Sequence, residues 1–294
     1  MNYRDQMILD APQLRAKPHL VPLSDAAGEI DAVGAGVPTW RVGDRVVSVF
    51  FGGYYTDPPP DRLTMGLGAA SEDGVMAEFV VLAATRVLPA PPSLTFVEAS
   101  TLPCAGVTAW NALQGANPVG EGDKVLVLGS GGVSLFGLAF SRLRGAQALA
   151  TTGNRIKRSG LASLGANEIV NYKDTPHWGQ KIGELTGGVD RVLNTVGAEA
   201  MTESLAALRP GGEIAVIGAM PSTSPLDVNR LLAKAAVIRG IAVGSQAAFR
   251  EMSSAIERHG LKPKVALVLG FDELREAFLA QASGELFGKV VLSL

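Results

Sequence analysis

One stretch, Gly122-Asp-Lys-Val-Leu-Val-Leu-Gly129-Ser-Gly131-Gly132-Val-Ser134, constrains the chain more than any other. A short apolar strand runs straight into glycines, and a segment of helical spacing, Val133–Leu143, follows at once. Gly129 permits a tight turn, and Gly131 lets the backbone approach a ligand with no Cβ in the way. The helix start at Gly132 and Val133 turns unpaired N–H groups and the positive end of the helix dipole toward an anion. The third place of this glycine pattern holds Ser134, which predicts slightly looser helix–strand packing with the phosphate contact intact. A Gly-rich turn alone is weak evidence, so its setting decides.

The setting is a repeat of strand and helix. Apolar runs at Lys124–Leu128, Ala146–Thr151, Glu168–Asn171, Val189–Asn194, Glu213–Ile217 and Val237–Val243 predict strands. Between them, Val133–Leu143, Arg155–Leu164, Trp178–Thr186 and Thr202–Leu208 have helical spacing. Near-continuous β-branched runs mark strands buried on both faces, and parallel strands need helical crossovers. The pattern predicts an α/β fold with a doubly wound parallel sheet, and the glycine turn at its first strand then reads as a dinucleotide site. Val196-Gly197 and Ile217-Gly218 end the fourth and fifth strands, where open α/β sheets bind ligands.

The flanks read differently. Gly and Pro recur through the first hundred residues, and the strands there are short: Gly28–Val33, Arg45–Phe50 and Ala77–Val81. That is the texture of an irregular antiparallel β domain. After Val243 come a helix (Ala247–His259), a strand (Pro263–Val268), a helix (Asp272–Ala282) and a strand (Lys289–Leu292). A chain of 294 residues holds about two domains at roughly 150 residues each. Residues 1–104 with 245–294 are therefore expected to form one domain, and 105–244 an inserted dinucleotide-binding domain.

Charge and cysteine usage narrow the setting. Twenty-six basic against 28 acidic residues give no electrostatic case for a nucleic-acid partner or an anionic membrane. No apolar run reaches the ~18 residues that span a bilayer. The single cysteine, Cys104, forms no internal disulfide, so a reducing cytoplasmic setting fits. It is expected to be a buried structural thiol, since no histidine lies in its segment to make a thiolate. The three histidines, His19, His177 and His259, lie in unrelated segments and are expected at the surface.

The choice of dinucleotide falls at the end of the second strand, where a carboxylate would hold the 2′-hydroxyl of NAD. Here the chain reads Thr151-Thr152-Gly153-Asn-Arg155-Ile-Lys157-Arg158, with no acid and three cations. A 2′-phosphate attracts Lys and Arg, so the reading is NADP. The alternative is that these cations only solvate a helix start.

Several separated motifs now agree. Asn2-Tyr-Arg-Asp5, Pro22-Leu-Ser-Asp-Ala-Ala-Gly-Glu29, Val42-Gly-Asp-Arg-Val-Val47, Leu102-Pro-Cys-Ala-Gly-Val-Thr-Ala-Trp-Asn111 and Phe287-Gly-Lys-Val-Val291 surround the glycine turn in that order. Together they resemble the medium-chain dehydrogenase/reductase superfamily, in its zinc-independent branch near the quinone oxidoreductases. The resemblance spans essentially the whole chain and implies a Rossmann sheet inserted into a GroES-like, β-rich substrate domain. Relatives carry a few dozen residues before the Asn-Tyr-Arg-Asp motif, so the opening strands of the substrate domain are expected to be missing. Quinone-reductase relatives often have tyrosines shortly after the motif, where this chain has Met7 and Gln13.

The resemblance also implies roles. Zinc-dependent members place a Cys where Asn2 stands and Gly-His-Glu where Leu23-Ser24-Asp25 stands, so no metal is expected. Asn2 is implied beside the nicotinamide ribose and Thr108 on the carboxamide. Thr152, Gly153, Lys157 and Tyr172 are implied around the 2′-phosphate and adenosine, and Lys289 at the cofactor edge. A helix cap for Asn2, a helix start for Thr108, a core place for Tyr172 and a surface place for Lys289 are the alternatives. Asp25 is implied near the substrate, and with Asn2 it is the candidate catalytic residue.

With no Lewis acid, hydride addition to an activated C=C needs less assistance than alcohol oxidation. The expected function is NADPH-dependent reduction of an enone, quinone or small activated carbonyl compound. Metal-free alcohol–ketone interconversion and non-catalytic NADPH binding are the alternatives. The apolar last strand, Val237–Val243, would be an aggregation risk if bare, so a homodimer through that edge is expected.

Overall fold

The computed structural model describes residues 1–15, 17–61, 63–218 and 223–294. In chain order, the N-terminal part carries helix α1 (Tyr3–Asp10), strands β1 (Ala27–Glu29), β2 (Arg45–Ser48) and β3 (Val87–Pro89), the short helix α2 (Phe96–Ala99), a π-turn (Leu102–Gly106) and helix α3 (Val107–Ala112). The middle alternates β4 (Lys124–Leu128), α4 (Gly132–Leu143), β5 (Gln147–Thr152), α5 (Arg155–Ser163), β6 (Glu168–Asn171), α6 (Trp178–Thr186) and β7 (Val189–Asn194). It continues with α7 (Met201–Ala207), β8 (Leu208–Val216), α8 (Val228–Lys234) and β9 (Val237–Gly240). The C-terminal part is α9 (Gln246–His259), β10 (Val265–Gly270), α10 (Leu274–Ala282) and β11 (Lys289–Ser293). The chain divides into two compact units, Thr108–Ala242 and Met1–Val107 with Val243–Leu294.

In the first of these units a six-stranded parallel sheet runs in the order β6-β5-β4-β7-β8-β9. The chain starts at β4 in the middle, winds outward to β6, then restarts at β7 on the other side. That reversal is the switch point of a doubly wound sheet. Helices cover the sheet, and its core includes Leu126, Leu149, Ile182, Val192, Leu205 and Ile214. The fold is thus mixed α/β with a Rossmann-type domain. The predicted strand at Glu213–Ile217 begins five residues earlier, at Leu208. The predicted strand at Val237–Val243 stops at Gly240, and Val243 sits at φ 57°, a left-handed conformation that no strand continues through.

A buried ion network ties this sheet to the loop that enters it. Arg191 on β7 and Glu213 on β8 are paired across the strands, and Arg239 on β9 reaches the same carboxylate. Arg191 Nη2 lies 3.4 Å and Arg239 Nε 2.7 Å from Glu213. Both guanidiniums then donate to backbone carbonyls of residues 111–117: Arg191 to Ala112, Gln114 and Asn117, and Arg239 to Asn111, Ala112 and Gln114. Arg191 is only 2% exposed, and burial lowers its pKa despite the neighbouring Glu213.

The other unit holds an antiparallel sheet β1-β2-β3 and a parallel pair β10-β11. The antiparallel sheet matches the texture read in the first hundred residues, while the parallel pair is formed by the two C-terminal strands. Ala77–Val81, predicted as a strand, forms none and leaves Phe79 74% exposed, because no strand lies beside it among the described residues. Helix α1, which the sequence did not announce, carries only a weak apolar face, with Ile8 buried.

Candidate active site

In the Rossmann-type unit the site is built at the carboxyl ends of β4, β5, β7 and β8. Leu128 ends β4, and its carbonyl accepts two hydroxyls, Ser134 Oγ at 2.7 Å and Thr195 Oγ1 at 2.8 Å. Gly129 follows at φ 80°, with its N–H donating to the Thr151 carbonyl. Gly131 precedes α4 with nothing near its missing Cβ. The first backbone bond into the helix runs from Leu135 N to Gly131 O, so the N–H groups of Gly132, Val133 and Ser134 lie in the unbonded first turn.

Ser134 corrects the sequence reading. It is buried, and its hydroxyl fastens α4 to the end of β4 where a looser join was expected. Close helix–strand packing is supplied one turn later by Gly137, where a Cβ would stand 2.5 Å from Leu193 Cδ2. The signal was a glycine in the middle of a helix, which is destabilising unless contact requires it.

At the end of β5, Thr152 is buried and Tyr172 packs over Gly153. Asn154 caps α5, its Oδ1 accepting from Ile156 N at 2.8 Å. Of the three cations here, Arg155 pairs with Asp174 at 3.1 Å and Arg158 donates to the Ile169 carbonyl at 2.6 Å. Lys157 stands on the same first turn. No carboxylate occupies the strand end itself, which reads Thr152-Gly153-Asn154.

At the end of β7, the fully buried Asn194 fixes the turn. Its Oδ1 accepts from Val196 N and Gly197 N at 3.0 and 2.8 Å, and its Nδ2 donates to Gly197 O. Ile217 N and Gly218 N both donate to the Asn194 carbonyl. A side chain on Gly218 would collide with the backbone at Thr195 and Val196. Asn194 and Thr195 were missed by sequence reasoning, since polar residues at a strand end look like ordinary turn formers. Thr108 is buried on α3, and Trp110 packs edge-on against Phe140 at 5.3 Å.

The second polar cluster lies in the other unit. Asn2 stands at the N-cap of α1, where its N–H donates to Asp5, and its side chain turns elsewhere. Lys289 on β11 is 5% exposed, and its ammonium donates to the Met1 carbonyl and to Asn2 Oδ1. Asn2 Nδ2 donates to Ser24 Oγ at 3.3 Å, and Ser24 Oγ to Asp25 Oδ1 at 2.6 Å. Asp25 Oδ2 accepts from Cys104 N at 3.0 Å. Arg4 and Asp5 pair beside the cluster at 3.1 Å. Burial pushes the Asp5 carboxyl up, and burial followed by the Asp25 charge pushes the Cys104 thiol far above its ordinary range. The structure thus brings Asn2, Asp25 and Lys289 together, with Ser24 and Cys104 added. The three histidines are exposed.

Comparison with known proteins gives the family. Residues 1–92 match the model of the alcohol dehydrogenase GroES-like domain, and residues 132–258 that of the zinc-binding dehydrogenases. A zinc-type alcohol dehydrogenase-like protein of Schizosaccharomyces pombe is 39% identical over 100% of this chain and 88% of its own length. The quinone oxidoreductase of Mus musculus is 28% identical over 93% of this chain and 80% of its own. A solved structure from Sinorhizobium meliloti 1021 superposes with a TM-score of 0.93 at 38% identity, covering 100% of this chain and 88% of that one.

Zinc, which some of these names imply, does not fit the donor set. Among the described residues no group of three or more His, Cys, Asp and Glu could hold a metal ion. A catalytic zinc takes three deprotonated or neutral protein ligands. Here Asn2 and Ser24 offer no anionic donor, and an ammonium already sits on the Asn2 oxygen.

Proposed function

The chain belongs to the medium-chain dehydrogenase/reductase superfamily, and on that premise we propose that it is a zinc-independent, NADPH-dependent oxidoreductase. Its acceptor is an enone, a quinone or a small activated carbonyl compound. The observation that carries the reading is the glycine turn from Leu128 into α4, with its unbonded first-turn N–H groups at Gly132, Val133 and Ser134.

Bound NADPH supplies the hydride. The amides of Gly131, Gly132 and Val133 hold its pyrophosphate, with Gly129 making the turn. Thr152, Gly153, Lys157 and Tyr172 receive the adenosine end, and Lys157 answers the 2′-phosphate. Val196, Gly197, Ile217 and Gly218 line the nicotinamide half, and Thr108 receives the carboxamide. Asn2 and Asp25 act nearest the reacting atoms, with Lys289 behind Asn2. Because the donor set suits no Lewis acid, hydride addition to a conjugated C=C or quinone is favoured over alcohol oxidation. The alcohol dehydrogenase names among the relatives support ketone–alcohol interconversion as the second reading.

A panel of enone, quinone, ketone and aldehyde acceptors, followed by loss of NADPH absorbance, tests this. Turnover of a conjugated acceptor is expected. Tight NADPH binding with no turnover of any acceptor would instead favour a non-catalytic binding protein.

The assembly we propose is a homodimer through β9. Val237 on this edge strand is 50% exposed, and Leu226, Val228 and Leu232 are exposed beside it in sequence. Light scattering is expected to give twice the chain mass, and a Val237→Lys variant the single-chain mass. No helix among the described residues is long and apolar enough to cross a membrane, and we assign the protein to the cytoplasm on its single cysteine.

A further inference from the structure

The acid that is missing from the end of β5 arrives from the neighbouring strand. Strand β6 ends at Asn171, and the turn after it is closed by Thr175 N donating to Asn171 O at 2.9 Å. Within that turn Asn171 Oδ1 accepts from Lys173 N at 3.0 Å, and Asn171 Nδ2 donates to Asp174 Oδ2 at 2.9 Å. Arg155, the first residue of α5, then meets Asp174 side-on. Its Nη2 donates to both carboxylate oxygens at 3.1 Å, and its Nε to Oδ2 at 3.3 Å.

Exposed ion pairs are usually loose and contribute little. The geometry here is tighter, because a planar guanidinium meets the carboxylate through two nitrogens and Asn171 holds the acid from another side. Both side chains stay open to a ligand, Arg155 being 82% and Asp174 49% exposed. They flank the adenosine end of the proposed cofactor site. Arg155 stands two residues beyond Gly153, and Asp174 two beyond Tyr172, whose ring packs over that glycine. Tyr172 N also donates to Thr152 O, which fastens the turn after β6 to the end of β5.

The two nicotinamide dinucleotides meet this pair differently. A phosphate monoester carries about −1.5 to −2 charge at neutral pH, so the Asp174 carboxylate repels a 2′-phosphate. One edge of the Arg155 guanidinium, Nε with Nη2, is taken by the acid and is lost to a phosphate. To the 2′-hydroxyl of NADH the same carboxylate is no obstacle, since an acid is the usual acceptor for that group.

We propose that Asp174 is a specificity-determining residue of the cofactor site. By holding Arg155 and setting a negative charge beside the 2′-phosphate position, it narrows the preference for NADPH over NADH. This role deepens the proposed function and rests on its placing of the adenosine end at Gly153 and Tyr172.

The test is calorimetric titration of NADPH and of NADH into the full chain at low ionic strength. Wild type is compared with Asp174→Asn, Arg155→Ala and the double variant. Asparagine keeps the shape and one oxygen for the partners, without the charge. Asp174→Asn is expected to raise the ratio of NADPH to NADH affinity about fivefold, the upper range for an exposed charge pair. Arg155→Ala leaves the carboxylate uncompensated and should lower the ratio by a similar factor. The double variant should return close to wild type. Raised salt should shrink both shifts. Opposite signs from the two partners are a readout that a merely structural pair would not give, since loss of either partner would then move the ratio the same way or leave it alone. A ratio unchanged within about twofold in folded Asp174→Asn, or a fall in both single variants, would overturn the proposal. Should Asp174→Asn fail to fold, Arg155→Ala still decides, because an unchanged or raised ratio there overturns it too. Wild type that binds neither nucleotide would overturn the cofactor reading and this role with it. Wild type that binds both, with a ratio indifferent to Asp174 and Arg155, would overturn this role alone.

Discussion

Tyr172 lies so close over Gly153 that a Cβ built on the glycine would stand 2.5 Å from the ring carbon Cζ and nearer still to the hydroxyl. The tyrosine follows β6 and the glycine follows β5, two neighbouring parallel strands, and Tyr172 N donates to Thr152 O at 3.1 Å. A wall and a floor are therefore set by the sheet register, beside the capped start of α5.

Gly153→Ala should push the ring aside. Tyr172 is half-exposed and can swing into solvent, so the stability loss should stay within about 1 kcal/mol. NADPH affinity should fall about tenfold, some 1.4 kcal/mol, as the adenosine side loses its shape. Calorimetric titration of NADPH checks it, and an unchanged affinity would remove Tyr172 from the cofactor site.

The Arg191–Glu213–Arg239 network makes a different prediction. Glu213→Ala leaves two guanidiniums together without their acid, and Arg191 is already held in a setting that lowers its pKa. Breaking such a buried network by removing one partner costs about 3–5 kcal/mol. Urea unfolding should show that loss for Glu213→Ala. A loss below about 1 kcal/mol would mean that the backbone carbonyls of residues 111–117 hold both arginines unaided.

Cys104 yields a pH dependence. Its folded pKa lies well above the ordinary thiol value of 9.0, first through burial and then through Asp25. Between the unfolded and folded values the unfolded chain loses a proton that the folded chain keeps. This stabilisation is complete below pH 9.0 and is lost as pH rises from there toward the folded pKa. The slope should approach about 1.4 kcal/mol per pH unit above that point. In Cys104→Ala this component should vanish, and a thiol reagent should label folded wild type at mildly alkaline pH far more slowly than unfolded chain.

The sequence makes local features plain and hides distant meetings. Strand β4, the Gly129 turn and α4 are contiguous, so period and glycine placement suffice to find them. The ends of β6, β7 and α6 were also predicted to the residue, because apolar runs there stop at polar residues. Lys289 is the opposite case. Its partners Met1 and Asn2 lie 288 and 287 positions away, and only the folded arrangement brings β11 beside the start of the chain. Ser134 was misjudged because size was weighed and its hydroxyl was not. Arg191, Glu213 and Arg239 were overlooked, although a charged residue inside each of three neighbouring apolar strands is itself a signal of pairing across them.

On the proposed reading, Lys157 is the residue assigned to the 2′-phosphate of NADPH. Arg155 pairs with Asp174 and Arg158 donates to the Ile169 carbonyl, so both make contacts within the protein at this helix start. A hydrogen bond to a charged group contributes about 1.5–3 kcal/mol, so Lys157→Ala should weaken NADPH by about ten- to a hundredfold. NADH, which lacks the phosphate, should change by no more than about twofold, well under 1 kcal/mol. Arg155→Ala should cost NADPH less than Lys157→Ala, since it breaks an exposed ion pair first. Calorimetric titration of both nucleotides into all three proteins separates these outcomes. Equal losses of NADPH and NADH in Lys157→Ala would show that the lysine serves the helix and not the phosphate, and the missing carboxylate after Thr152 would then be no guide to the cofactor.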